Sequence, residues 1–204
     1  LIYNSGKPWM LSANGTIFTY EYEGIIPGLL KRWYAERKEM QAKLKEAIKA
    51  ENKIEEEYWD KRQLVKKINL NSLYGAILNA GCRFFDNRIG QSTTLTGRQI
   101  AKHMASKINE VVTGEYNHTG KAIIYGDTDS AYFSAYSSLK NEIAKKEIPW
   151  DKDTVIKLYD TVAAEVNSTF PQFMLDAFHC PKSRGEVIKA GREIVASRGL
   201  FITK

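Results

Sequence analysis

Between residues 27 and 79 the chain reads as two long helices with one weak point between them, and a helical hairpin of that length constrains every fold built around it. Residues 27–49 are rich in Leu, Lys, Glu, Ala and Arg, with no glycine after Gly28, and Pro27 falls in the first turn, where a missing N–H costs little. A second helical stretch covers residues 53–79, and Glu51-Asn52-Lys53 marks the turn. With Asn52 as the turn, Arg37 and Lys67 lie fifteen residues to either side and stand level, roughly 22 Å from the tip at 1.5 Å per residue. On the second helix Lys67, Asn71 and Tyr74 share a face, beside an apolar stripe of Leu70, Leu73 and Ile77. Taken alone, that triplet is most simply the solvated polar face of an amphipathic helix. Gly75 costs about 1 kcal/mol against Ala in a helix, a penalty that the close approach of a ligand or backbone would explain. The acidic tip, Glu55-Glu56-Glu57 with Asp60, reads as solvated surface.

The second constraining stretch is Tyr125-Gly126-Asp127-Thr128-Asp129-Ser130. It joins Ala122-Ile123-Ile124-Tyr125 to Ala131-Tyr132-Phe133, two β-branched and aromatic runs that predict a hairpin. Alternate residues of extended chain face the same way, so Asp127 and Asp129 can aim both carboxylates into one volume. Two like charges so placed call for a cation, and hard oxygen donors favour Mg²⁺ or Mn²⁺ over Zn²⁺. A calcium loop of the EF-hand type fails, because position 132 is Tyr where Gly is needed and position 138 is Ser where Glu is needed. A plain solvated turn and the metal-binding Asp-x-Asp of sugar-nucleotide transferases both remain open on these residues alone.

Elsewhere the pattern is coarser. Residues 8–23 alternate around Asn14-Gly15 like a hairpin with one aromatic face, and Cys82-Arg83-Phe84-Phe85-Asp86 reads as extended. Residues 93–112 read as a core helix through Ile100, Met104, Ile108 and Val111. Residues 137–147 and 152–178 are helical in composition, with Pro149 and Pro171 as interruptions. The tail alternates like two short strands, at 186–188 and from 193–195 through 200–202. Cys82 and Cys180 form no framework and read as free thiols of a reducing compartment; His179 beside Cys180 lacks the partners of a zinc site. No apolar run approaches a membrane span, and the chain starts on Leu1 without a signal-peptide pattern, so a cytoplasmic piece of a longer protein is expected. A net charge of +6 fits a polyanionic partner without requiring one.

Two motifs together resemble the replicative DNA polymerases of family B. Lys67-Ile68-Asn69-Leu70-Asn71-Ser72-Leu73-Tyr74-Gly75 is similar to the family's fingers motif, and Tyr125-Gly126-Asp127-Thr128-Asp129-Ser130 to its palm motif. Weaker likeness runs through Ser12-Ala13-Asn14-Gly15, Gly24-Ile25-Ile26-Pro27, Arg37-Lys38-Glu39 and Phe84-Phe85-Asp86, with the flavour of large tailed bacteriophages, whose enzymes act in the cytoplasm of a bacterial host. The end, Gly199-Leu200-Phe201-Ile202-Thr203-Lys204, resembles the approach to a basic DNA-gripping motif, cut at Lys204.

The resemblance implies an α+β fold: a palm-side hairpin at 1–24, a fingers helical hairpin at 25–80, and at 81–204 an antiparallel palm sheet that stops before the thumb. It implies that Asp129 is the principal ligand of two Mg²⁺ (or Mn²⁺) ions, with Asp127 in support. Arg37, Lys67 and Asn71 would face the incoming dNTP, Tyr74 would lie near the nascent base pair, and primer–template DNA would be the partner. Against the family pattern, Gln41 stands where related phage enzymes carry a basic residue, and the family's upstream Asp-x-x-Ser-Leu-Tyr-Pro-Ser motif is missing from residues 1–24. No exonuclease motif is present. Glu193 is a weak candidate to replace the missing carboxylate. A chain so composed is expected to be inactive until joined by segments supplying the Asp motif and thumb; a catalytically silent nucleic-acid-binding fragment is the alternative outside enzymology.

Overall fold

The computed structural model describes residues 4–199. It is mixed, dominated by helices, with two small antiparallel sheets. In order the elements are β1 (Trp9–Leu11), β2 (Ile17–Thr19), α1 (Ile25–Lys49), α2 (Lys53–Ile77), α3 (Asn87–Thr113), β3 (Ile123–Asp127), β4 (Ser130–Phe133), α4 (Tyr136–Ala144), α5 (Lys152–Phe178) and α6 (Lys182–Gly185). Among the described residues β1 pairs only with β2 and β3 only with β4, so these strands form two separate hairpins rather than one sheet.

The helical hairpin forms as expected, and its cause is visible at the turn. Asn52 caps α2 by accepting from the Glu55 N–H, and Glu55 and Glu56 place negative charge on the positive end of the helix. Glu51 takes a left-handed φ of 54° to reverse the chain. Among the residues of α2 turned away from solvent, 59, 63, 66, 70, 73 and 77 alternate in steps of three and four along one seam. Much of that seam is not aliphatic: Lys66 lies over the Trp33 ring and Lys43 over Trp59, cation–π contacts that let long side chains cover apolar surface while their charges stay wet. The substantial contacts of α1 are with α2.

The main core lies on the other side of α3. On α5, Val162, Val166, Phe170, Met174 and Phe178 are buried at every fourth position. With Ile108 of α3 the first three of these form a cluster against which Ile123, Ala131 and Phe133 of the β3–β4 hairpin pack. Burying side chains of this size stabilises by about 1.5–3 kcal/mol each. Pro171 does not interrupt α5, which runs on to Phe178 and ends at His179 in the left-handed conformation.

Three local readings are corrected. Cys82–Asp86 is not extended but a tight turn, closed by hydrogen bonds from Cys82 N–H to Asn79 O and from Phe85 N–H to Cys82 O. α3 therefore begins six residues earlier than its apolar periodicity indicates, because Asp86 caps it by accepting from the Arg88 N–H. The tail at 186–195 forms no strand. It is held on α5 instead: the Asn167 amide donates to Ala190 O at 2.8 Å and accepts from Ala190 N–H at 2.7 Å, and Arg192 pairs with Asp160 at 2.6 Å. The end of the second expected strand, at 200–202, lies outside the described residues.

Inside the core sits His103, 7% exposed, stacked on Phe173 with centroids 4.0 Å apart. Thr169 gives its own proton to Val166 O, so it accepts from His103 Nε2–H at 2.9 Å, and Nδ1 accepts from the Tyr116 hydroxyl at 2.8 Å. That arrangement uses the neutral ring. Burial, helped by the nearby Lys107 charge and opposed by Glu110, holds its pKa down at about 4. The unfolded chain protonates near 6.5 and the folded chain does not until about 4, so stability is full above pH 6.5 and falls as pH drops through this window. The loss is at most about 3 kcal/mol. Urea midpoints measured between pH 7 and 4 should fall in the wild type and fall less in His103→Gln; parallel curves would refute the assignment.

Candidate active site

The Asp-x-Asp pair stands at the exposed tip of the β3–β4 hairpin. Asp127 pairs with Ser130 in the ladder, leaving Thr128 and Asp129 as a two-residue turn. Thr128 adopts a left-handed φ of 42°, a conformation unusual for a β-branched residue. Its hydroxyl donates to Asp127 Oδ1 at 3.0 Å, and Ser130 Oγ donates to Asp127 O at 3.1 Å. The simple alternation of extended chain therefore does not describe the pair, since Asp127 ends a strand and Asp129 sits within the turn. What the turn provides is two carboxylates presented to solvent at one end of a hairpin whose inner face is anchored by Ile123, Ala131 and Phe133. Among the described residues, no three His, Cys, Asp or Glu side chains are grouped to hold a metal ion. The donor set is hard oxygen without nitrogen or sulfur, which fits Mg²⁺ or Mn²⁺ in type, with two carboxylates from this chain.

On α2, Lys67, Asn71, Tyr74 and Gly75 are all exposed, with Lys67 and Tyr74 flanking the α1 seam. Gly75 is not explained by a close backbone: a Cβ there meets nothing within 4 Å. Arg37 faces the seam, donating from Nε to Gln63 Oε1 at 3.3 Å, and Glu36 pairs with Lys66. The hairpin reverses at Glu51 rather than Asn52, which sets Arg37 opposite residue 65, about half a turn nearer the tip than Lys67. A long guanidinium side chain can span such an offset, but the two cations are not level.

Tyr74 closes the base of this face. Thr94 donates its proton to Gly90 O at 3.2 Å, so in the hydrogen bond it shares with Tyr74 the phenol is the donor. Tyr74, Leu78, Gly90, Gln91, Thr94 and Leu95 line an open, largely apolar groove of about 410 Å³ between α2 and α3. A Cβ on Gly90 would come within 2.0 Å of Leu78 Cδ2, so the exposed Leu78 side chain would have to move to admit one. Thr94 is invisible to sequence reasoning, because its partner is twenty residues away across a turn read as extended.

α3 is the common support. Its N-terminal part meets α2, and α3 also packs on β3, β4 and α5. The loop at 12–16 is tied to it as well, Asn14 donating to Arg88 O at 3.0 Å and accepting from Ser92 Oγ at 2.9 Å. Asn109, fully buried, holds the chain entering β3 by accepting from Ala122 N–H at 3.0 Å and donating to Glu115 O at 2.7 Å. A single Asn among the apolar positions of that helix was the available signal. Glu193 is exposed on the tail, and Lys204 lies outside the described residues.

Residues 10–179 match the family model for DNA polymerase family B. The chain belongs to DNA polymerase family B. It is 28% identical over 185 residues to a DNA polymerase of Pyrococcus glycovorans, covering 87% of this chain and 22% of the relative. It is 31% identical over 157 residues to a DNA polymerase of Paramecium bursaria Chlorella virus NY2A, covering 74% of the chain and 15% of the relative. The DNA-directed DNA polymerase of Escherichia phage RB69 matches a shorter stretch, 38% identical over 74 residues, 36% of this chain and 8% of the relative. The family B chain thus spans less than a quarter of the length of these curated relatives. Both motif-bearing segments fall inside the matched range.

Proposed function

We propose that this chain is the fingers and the metal-binding part of the palm of a DNA-directed DNA polymerase, transferring a nucleotide from dNTP to a primer 3′-hydroxyl. The reading rests on one observation: in a family B chain, an exposed Lys67/Asn71/Tyr74 face and an exposed Asp127/Asp129 turn are carried on elements that share α3 as their support. A sugar transferase has no use for the first of these, and family membership disfavours it. In this reading α1 and α2 are the fingers, Lys67 and Arg37 neutralise the triphosphate, Asn71 orients it, and Tyr74, held by Thr94, offers its ring beside the nascent pair. Asp127 and Asp129 would hold two divalent ions, whose chemistry is to acidify the attacking hydroxyl and balance charge on the leaving pyrophosphate. Two carboxylates leave oxygen positions on such ions open, and in this reading further polymerase segments fill them.

The test is binding and complementation. The purified chain is expected to bind primer–template DNA and Mg²⁺-dependent dNTP without extending the primer, and to extend it once fragments carrying the upstream Asp motif and the thumb are added. Binding of sugar nucleotides in preference to dNTP would overturn the substrate assignment, and extension by the chain alone would overturn its incompleteness.

A further inference from the structure

The basic character of this chain is confined to one region. Between Asp60 and Glu110, residues 61–109 contain nine Lys or Arg and a single carboxylate, Asp86, a balance of +8; the remaining 155 residues carry 21 cations against 23 anions, a balance of −2. That segment is most of α2, the turn and most of α3. Four of its cations are already paired: Lys61 with Glu57, Lys66 with Glu36, Arg88 with Asp86 and Lys107 with Glu110. Arg62 lies over the Tyr58 ring. Among the described residues Lys67, Arg83, Arg98 and Lys102 make no ion pair, and only Lys67 belongs to the nucleotide site proposed above.

Arg98 and Lys102 are neighbours on one helical face, and the same face continues backwards through Leu95 and Gln91, which line the Tyr74 groove. No carboxylate occurs on α3 before Glu110. Unpaired cations four residues apart, on a helix stripped of anions and leading away from the groove, are complementary to a regularly spaced polyanion. We propose that the Gln91–Leu95–Arg98–Lys102 face of α3 carries the phosphodiester backbone of primer–template DNA away from the nucleotide site. This deepens the polymerase reading and rests on it. The contacts are to phosphate, so they position the DNA without reading its sequence.

The experiment measures the affinity of the full chain for primer–template DNA across a salt series, by fluorescence anisotropy. Arg98→Gln/Lys102→Gln, which keeps side-chain length, is expected to weaken binding roughly tenfold at low salt and to flatten the log–log salt slope by about 1–2, irrespective of DNA sequence. Arg98→Lys/Lys102→Arg should restore both quantities. Lys45→Gln/Lys49→Gln, which removes the same charge from exposed positions on α1, should leave them nearly unchanged, with melting curves confirming that every variant is folded. Equal weakening by both double substitutions would reduce the effect to net charge and overturn the proposal, as would no change in the α3 variant. If the wild type binds poly-glutamate but no DNA, the polymerase reading falls with it; if it binds DNA and the α3 variant binds equally well, only the α3 track falls.

Discussion

Asp129→Asn is expected to abolish primer extension by the reassembled polymerase, lowering the rate by at least about 10³-fold. The substitution keeps the size and much of the hydrogen-bonding capacity of the side chain and removes one negative charge. Charge stabilisation of several kcal/mol by metal ions is what such a site contributes, and each 1.36 kcal/mol is tenfold in rate. The hairpin has no substitute, because no third candidate ligand is grouped with the pair among the described residues. Asp127→Asn should cost less than Asp129→Asn if Asp127 plays the supporting part. Among the described residues Asp129 makes no side-chain hydrogen bond or ion pair that would hold the turn together, and Thr128, not Asp129, carries the left-handed φ. The variant should therefore melt with the wild type and bind primer–template DNA unchanged. Single-turnover extension, compared with DNA affinity and thermal melting, checks all three expectations; a variant retaining a tenth of the wild-type rate would remove Asp129 from the metal site.

Gly120→Ala is expected to destabilise the chain by about 3–5 kcal/mol and to loosen the Asp-x-Asp hairpin with it. A Cβ on Gly120 would come within 2.1–2.4 Å of all three terminal heavy atoms of the Asn109 side chain. That side chain cannot swing aside cheaply. It is fully buried, and its two polar ends hold Ala122 N–H and Glu115 O, so displacement leaves the buried Asn109 amide and Ala122 N–H unpaired at about 1–3 kcal/mol each in addition to the overpacking. Ala122 directly precedes β3, which is why strain at this point reaches the Asp-x-Asp turn. Asn109→Ala removes the clash but also the hydrogen bonds. The double variant Asn109→Ala/Gly120→Ala should thus be far less destabilised than the sum of the singles, a coupling typical of residues in contact. Equilibrium urea unfolding of the three variants measures it; additive losses would show that Gly120 acts independently of Asn109.

The sequence by itself determined the parts whose causes are local. Long runs of helix formers around Asn52 specify two helices and a reversal, since cap, charge and propensity all act within a few residues. The β-branched runs flanking Gly126 to Asp129 specify a hairpin for the same reason, and the motif spacing carried the family. The boundary at Asn87 was legible in principle from the Asp86 cap but was hidden by the aromatic pair Phe84-Phe85, which mimics a strand while lying in a turn. Only the tertiary structure decided the rest. The tail alternates like a strand, yet Asn167 and Asp160 on α5 take its backbone and its arginine, so no strand partner is found. Arg37 and Lys67 are offset because the reversal centres on Glu51, a residue whose left-handed φ no propensity favours. The polar contacts that position both motifs join residues far apart in sequence: Tyr74 to Thr94, Asn14 to Ser92, Asn109 to Ala122. Each depends on where α3 lies against its neighbours, and that placement is fixed by the packing of Ile108 on Val162, Val166 and Phe170, a long-range outcome of burial that no local pattern encodes.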